Sequence, residues 1–259
     1  ALTIALAMRE TLETPGRTAA LVTPDRVIAA RVAGHLARWG IIADDSAGQP
    51  LAVTAAGALL LALVESATSG FAPVELIGLL NHPLVADGED RRLWVDRVRE
   101  LDLLLRGPRP AAGLASIRAL IMAEDDVNQK LADWWLAVSD RLAILASRID
   151  PRAPMTLAML LPVVRETLEA LAGDAIWARA DGRALAGLFA ELERHAADLT
   201  GTVRPDEIPA ILRLLMKDVS VRPPQGGHPR LFIWGLIEAR LQRADRMILA
   251  GLNEGQWPQ

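Results

Sequence analysis

Apolar residues follow two patterns along this chain. Near both ends they form short continuous runs, and between those runs they recur every three or four positions. Thr18-Ala19-Ala20-Leu21-Val22 reads as a buried strand, with Thr23 as an N-cap and Pro24 at the first helical position. Val27, Ile28, Val32 and Leu36 then repeat at helical spacing over residues 25–39, and Gly40 stops the helix before a second strand at Ile41-Ile42. A strand, helix, strand unit of this kind builds a parallel sheet. Residues 44–51 read as a polar turn, followed by helices over about 54–69 and 73–81.

From about 90 to 217 the pattern is helical throughout. Trp94, Val98, Leu101 and Leu105 mark one helix; Val127, Leu131, Trp134, Val138, Leu142 and Leu145 mark another. Three more are expected at 156–172, 181–197 and 206–217, with breaks at 107–113, 149–154 and 199–205. Residues 220–230 hold three prolines and two glycines and read as a loop. Leu231-Phe232-Ile233-Trp234 and Met247-Ile248-Leu249-Ala250 then return to the strand pattern, with a short helix or ordered loop over 238–243. The prediction is an α/β framework interrupted by a mostly helical insertion: 1–84 framework, 85–219 insertion, 220–259 framework again.

Composition narrows the chemistry. Of 259 residues 51% are hydrophobic and 23% charged, which excludes global disorder. The 28 basic residues face 32 acidic ones, a net charge of -4, so there is no basic excess of the kind a dedicated nucleic-acid domain carries. The absence of cysteine rules out disulfides, thiol nucleophiles and cysteine-ligated metal or Fe–S sites within the chain. No segment reads as membrane-spanning or as a signal, and a reducing cytoplasmic setting is the expectation. The first residue, Ala1, and the final Trp257-Pro258-Gln259 read as the ends of a piece of a longer protein.

Candidate sites are few. Neither Ser46-Ala47-Gly48-Gln49 nor Gly226-Gly227-His228 carries the lysine and following helix of a phosphate-binding P-loop. Asp87, Glu89 and Asp90, and likewise Glu124, Asp125 and Asp126, suit the starts of helices. His82 and His228 precede prolines in expected turns. Arg91, Arg92, Arg97, Arg99 and Arg106 alternate with acids, which fits an ion-paired face as well as a DNA track. Trp134 and Trp135 are adjacent, so one turns readily to the core and leaves its neighbour for a base or a partner. No catalytic, cofactor-binding or metal-ligating residue is assigned. The most informative stretch is Gly251-Leu252-Asn253-Glu254-Gly255, a tight turn beyond the carboxyl end of a strand, where open α/β sheets place ligand-contacting loops.

That stretch, with Trp257-Pro258 after it and Glu238-Ala239-Arg240 before it, resembles the alphaproteobacterial form of the AddB subunits of AddAB helicase-nucleases, and more distantly the UvrD-like helicase superfamily. The run from Thr18 to Arg26, Asp45-Ser46-Ala47-Gly48, Phe71-Ala72-Pro73-Val74 and Asn81-His82-Pro83-Leu84 carry the resemblance through nearly the whole chain, with the greatest specificity at its C-terminal end. The resemblance implies a partial RecA-like (P-loop NTPase-like) parallel-sheet domain interrupted by helices, serving as a noncatalytic DNA-binding scaffold in double-strand break processing and recombinational repair. Active relatives carry a Lys-Gly-Leu-Glu-like segment before the final strand; here Arg240-Leu241-Gln242-Arg243 keeps the charge and lacks the glycine and the acid. Arg240, Arg243, Asn253 and Glu254 are then the DNA-binding or motif-coupling candidates, and Trp134 and Trp135 weaker contacts to DNA or a partner. The implied partners are DNA and an AddA-like helicase-nuclease subunit, with no membrane. ATP, magnesium, exonuclease chemistry and a 4Fe-4S cluster would belong to the parent complex rather than to this chain. Two alternatives fit the same residues: the second motor domain of an active ATP-dependent UvrD-like helicase, and a protein-interaction scaffold with no direct DNA role.

Overall fold

A computed structural model describes residues 1–86, 90–107, 110–123, 128–150, 152–196, 198, 200–222 and 227–253. In chain order the first elements are α1 (Leu2–Thr11), β1 (Ala19–Val22), α2 (Arg26–Ala37), β2 (Ala43–Asp45), β3 (Gln49–Pro50), α3 (Ala55–Thr68) and α4 (Pro73–Leu80). There follow α5 (Arg91–Leu105), α6 (Leu114–Met122), α7 (Gln129–Arg148), β4 (Met155–Thr156), α8 (Leu157–Ala172), α9 (Ala180–Arg194) and β5 (Thr202–Val203). The chain closes with α10 (Ile208–Lys217), β6 (Ser220–Val221), β7 (His228–Trp234) and β8 (Arg246–Leu249). The protein is α/β, and no helix among the described residues is long and apolar enough to cross a membrane.

The chain forms two compact units, residues 1–49 with 220–259 and residues 50–219. The first unit holds a sheet of order β2-β7-β1-β8 in which every neighbouring pair is parallel. β1 is buried along its whole length, as a central parallel strand must be, which explains its uninterrupted Ala-Ala-Leu-Val. Its residues Ala19 and Leu21 share one face with Leu231 and Ile233, and α1 and α2 cover that face through Ala5, Met8, Ala29, Val32 and Leu36. Ala20, Val22, Phe232 and Trp234 lie on the other face, covered in part by Leu236, Ala239 and Ala244 of the connection between β7 and β8. The β1-to-β2 and β7-to-β8 connections thus run in opposite directions over opposite faces. The two crossovers therefore have the same hand, as expected where each such connection is right-handed.

Local chemistry explains several boundaries. Asp25 caps α2 by accepting from Val27 N–H and Ile28 N–H. Pro229 sits at the start of β7, ahead of its pairing with β1 at Leu231, so its missing N–H costs the central ladder nothing. Arg230 donates to the carbonyls of Leu12, Thr14 and Arg17, and Arg246 to the Ala7 carbonyl and the Glu10 carboxylate. These two side chains tie α1 and the turn after it to the sheet.

The structure departs from the expected elements in several places, the first at α2, whose N-cap is Asp25 and not the expected Thr23, so that Pro24 lies ahead of the helix. α1 lies ahead of the first element read from the pattern, because Leu2, Ile4, Ala5, Leu6 and Met8 crowd several faces and leave no clean period. α6 is a further helix that the pattern did not mark. The second strand is Ala43–Asp45 rather than Ile41-Ile42, so residues expected in a polar turn belong to the sheet. An edge strand needs only its backbone for pairing, and Asp45 is neutralised by Arg26 at 2.6 Å. β7 begins at His228, inside the expected 220–230 loop. Finally, the units divide at residue 49/50 rather than at 84/85, because α3 and α4 pack among helices of the second unit. The other division falls at 219/220.

The second unit is helical, with one two-stranded ladder of Met155–Thr156 against Thr202–Val203. α3 is its most buried element, with Leu59, Leu60, Leu63 and Val64 almost inaccessible. Each unit brings together the two places where the chain crosses between them. Ser220 Oγ donates to the Ala47 carbonyl within the first, and Leu51 N–H donates to the Val219 carbonyl within the second.

Two glycines give opposite expectations. A Cβ at Gly227 would lie 2.3 Å from the Ala43 carbonyl carbon and 2.4 Å from Asp44 N, both backbone. Gly227→Ala should therefore destabilise by roughly 1–3 kcal/mol through forced separation of β2 from β7. Gly34, inside α2, has open space at that position, and Gly34→Ala should stabilise by about 1 kcal/mol. Urea unfolding of the two variants checks both signs.

Candidate functional site

β1 and β7 are neighbours whose carboxyl-end connections leave toward opposite faces, the arrangement in which open α/β sheets leave a ligand crevice. Here that crevice is closed by the chain's own groups. Thr23 is fully buried, its N–H donates to the Trp234 carbonyl, and its hydroxyl accepts from Asp25 N–H at 3.1 Å. The Asp25 carboxylate occupies the N-terminal N–H groups of α2 at 2.8 and 3.1 Å, where an anion would otherwise bind. Arg26 spends one nitrogen on Asp45 and the Gly48 carbonyl. Gly251, with φ of +77°, lies against this turn: a Cβ there would come 3.1 Å from Thr23 Oγ1. The close approach accounts for the first glycine of the turn, and the arrangement presents a carboxylate where a nucleotide phosphate needs a donor.

The sequence-derived candidates do not gather at one point. Asn253 is exposed just beyond the carboxyl end of β8, its N–H bonded to the Gly251 carbonyl at 2.8 Å. Arg240 and Arg243 lie on the β7-to-β8 connection, which forms hydrogen-bonded turns over 236–241 rather than a regular helix. That connection returns along the sheet to its amino edge, where Asp245 accepts from both the N–H and the hydroxyl of Thr18 at the start of β1. Arg243 and Asn253 thus stand toward opposite ends of β8, a strand roughly 13 Å long. Glu254, with Gly255, Trp257 and Pro258, lies outside the described residues, as do Asp87, Glu89, Glu124, Asp125, Asp126, Val127 and Gly226.

Arg240 and Arg243, like Arg31 on α2 and Arg38 at its C-cap, lack partners among the described residues. Both arginines of the connection are exposed, and neither makes a hydrogen bond or ion pair with any described residue. Between them Leu241 stands fully exposed in the left-handed backbone region, φ +68°, which an L side chain rarely adopts. Ile237 on the same connection is 76% exposed. In contrast, four of the five arginines in the Arg91–Arg106 run, all but Arg92, are bonded internally. Arg91 donates to the Val85 and Asn81 carbonyls, and Arg97, Arg99 and Arg106 pair with Glu100, Asp96 and Asp102. Those three are pairs along one helix, as expected for a solvated face.

The adjacent tryptophans are packing residues. Trp135, not Trp134, completes the buried line of α7 with Leu131, Val138, Leu142 and Leu145. Both positions satisfy helical spacing, so only the packing partner decides between them. Trp134 meets Trp94 edge-on at 5.2 Å between ring centres, and both indole N–H groups of Trp134 and Trp135 are buried without an acceptor. Trp135 has no accessible surface left for a base.

Two of the four histidines, His82 and His228, accept backbone N–H groups in turns or at a strand start. His82 Nδ1 accepts from Leu84 N–H, and burial, followed by the charge of Arg91, pushes its pKa below the usual histidine range. His228 opens β7 with its ring accepting from Arg230 N–H. Among the described residues no three His, Asp or Glu side chains stand close enough to share a metal ion. A cleft of about 500 Å³ between α5 and α7 has Glu100 on its wall, already bonded to Arg97 and Asn128.

No family model matches the chain, and no curated protein shows significant similarity to it.

Two measurements test these assignments. The Thr18 N–H, then its hydroxyl, then the charge of Arg17 hold the Asp245 carboxyl below its ordinary range. The contribution of Asp245 to stability is therefore present above the unfolded-state value, about 3.9, and fades as pH falls through that range. The difference in Tm between the protein and Asp245→Asn should shrink steadily on acidification. Trp135→Ala should cost roughly 3–5 kcal/mol as a buried large-to-small change. Trp134→Phe should cost about 1 kcal/mol or less, because removing an unpaired buried N–H offsets the lost area. Chemical denaturation of both variants gives the comparison.

Proposed function

We propose that this chain is a noncatalytic DNA-binding scaffold: a RecA-like α/β segment of an AddB-like subunit, acting with an AddA-like helicase-nuclease in double-strand break processing. The observation that carries the reading is the pair of exposed guanidinium groups of Arg240 and Arg243, three residues apart on one connection and without partners among the described residues. Exposed arginines on the connection that crosses one sheet face suit phosphate oxygens, which they can engage through two parallel hydrogen bonds. Phosphate contacts position a duplex or a single strand without reading its bases, as a guiding surface requires.

The parallel order β2-β7-β1-β8 supports the α/β part of this reading, and the carboxylate-capped N-terminus of α2 supports its noncatalytic part. The catalytic chemistry of such a complex lies elsewhere. With no cysteine the chain does not fit a 4Fe-4S cluster, whose irons are held by thiolates. ATP hydrolysis and magnesium-dependent strand cleavage are assigned to other domains of the assembly.

The test is fluorescence anisotropy with labelled duplex and single-stranded DNA over a salt series. The protein should bind both, with affinity falling as salt rises. In the double variant Arg240→Ala/Arg243→Ala the slope of log K against log salt on duplex DNA should drop by about 1.8, two phosphate contacts' worth. Equal affinity and equal slope in the two proteins would remove these residues from the DNA surface, and with them the reading.

A further inference from the structure

Leu241 is the most exposed large apolar side chain among the described residues, at 102%, and its backbone puts it there. Gln242 N–H donates to the Ala239 carbonyl at 3.2 Å, closing a four-residue turn with Arg240 and Leu241 at its centre. Leu241 fills the third position of that turn with a φ of +68°, where glycine or asparagine is the usual occupant. A leucine there strains the backbone and gains no packing in return. The turn is nevertheless well held. Ala239 N–H donates to the Gly235 carbonyl and Arg240 N–H to the Ile237 carbonyl, and Leu236, Ala239 and Ala244 seat the connection on the sheet at either side of the tip. The fold thus carries one aliphatic side chain into solvent at a conformational cost.

The charges at the tip are of one sign. Residues 240–243, Arg-Leu-Gln-Arg, are all exposed and include no acid. The two carboxylates of the same connection are turned elsewhere. Glu238 lies over Gly235, where an added Cβ would come 2.5 Å from its Oε2, and Asp245 accepts from the N–H and hydroxyl of Thr18. A convex tip of this size is a poor seat for a protein partner, which needs roughly 800 Å² of complementary surface on each side. It suits a stack of bases, which opens at one step to admit a single aliphatic side chain while neighbouring cations hold the phosphates.

We propose that Leu241 is a wedge that inserts between adjacent bases of the DNA whose phosphates Arg240 and Arg243 hold, unstacking that step. The inference rests on the DNA reading above and adds to it a contact with the bases that does not depend on their identity. The side chain leaves water only when the step opens, so the strain at Leu241 is offset in the complex and not in the free protein. Steps that unstack readily, TA and CA/TG, are the preferred sites, because opening them costs least.

The test uses the whole chain and a duplex with a single TA step beside 2-aminopurine, a base whose fluorescence rises on unstacking. A second duplex carries the same probe within a stiff A-tract. Saturating protein should raise the fluorescence of the first duplex and much less that of the second. Leu241→Gly removes the wedge and suits the left-handed backbone, so this variant keeps the fold. It should abolish the rise and weaken duplex binding about tenfold, as loss of one buried leucine side chain implies. The slope of log K against log salt should stay as it was, because no charge is removed. Leu241→Met keeps an apolar side chain of similar length and should retain the rise. Arg240→Ala/Arg243→Ala should lower the slope instead.

No rise at saturation, or a rise that Leu241→Gly leaves intact, overturns the wedge; a lower slope in the arginine variant would then uphold the DNA reading alone. Loss of the rise in Leu241→Met also overturns it, since a wedge requires only an apolar side chain of that length. Duplex affinity unchanged in Leu241→Gly would give the tip to a protein partner instead. An unchanged slope in the arginine variant removes the DNA reading, and the wedge with it.

Discussion

The pairing of β1 with strands that lie more than 200 residues further along the chain is the constraint on which the first unit depends. β1 is four residues long and buried on both faces, so it cannot be stable until β7 and β8 flank it. Without it β8 has no neighbour in the sheet and β7 is left with β2 alone, because β1 stands between them. The whole of residues 50–219 must therefore be looped out before the sheet closes. The entropic cost of that loop rises only logarithmically with its length, by about 0.6 kcal/mol per doubling. A folded insertion that brings its own ends together lowers the cost further, and the Leu51–Val219 hydrogen bond holds those ends side by side within the helical unit. The insertion's own packing thus contributes to the closure of a sheet in which it takes no part.

The same closure divides the arginines into classes. Arg230 and Arg246 lie on β7 and β8 and reach back to α1, so that the N-terminal helix is anchored by side chains from the other end of the chain. Arg26 neutralises the edge carboxylate of Asp45. The arginines of α5 that pair do so along their own helix or with neighbouring carbonyls. Arg240 and Arg243 belong, with Arg31 and Arg38, to those that make no such bond among the described residues, and a net charge of -4 gives no hint of them. Net charge sums over paired and unpaired groups alike, and a phosphate contact needs only the unpaired ones.

Much of the secondary structure was legible in the order of residues. α2 was marked by its 3.6-residue period and Gly40, although its N-cap is Asp25 and not the expected Thr23; α3 and α4 were expected over about 54–69 and 73–81, and α7 to α10 from long amphipathic runs. α1 escaped because its apolar residues surround it, and Ala5 and Met8 become core positions only when the sheet lies beneath them. β2 was displaced for the complementary reason: an edge strand held through backbone bonds carries no apolar signature, so Ala-Asp-Asp reads as a turn. Of the candidate site, the Gly251 turn was readable as a left-handed glycine. The separation of Arg243 from Asn253 was not, since it depends on which edge of the sheet each end of β8 occupies.

By itself, the sequence determined that the chain is α/β with a helical middle, that it holds no cysteine chemistry and no P-loop, and where most helices begin and end. These properties follow from composition, local periodicity and caps, all of which act over a few residues. Only the tertiary structure decided that β7 enters between β1 and β2, that Trp135 rather than Trp134 faces the core, and that Asp25 fills the anion position of α2. It also decided that Met247 and Leu249 direct their backbone groups away from β1, where no described strand pairs with them, while Arg246 and Ile248 face it. Each of those outcomes turns on which neighbour a backbone or side-chain group meets across the fold. Residues one position apart in the chain are locally equivalent until that neighbour is in place.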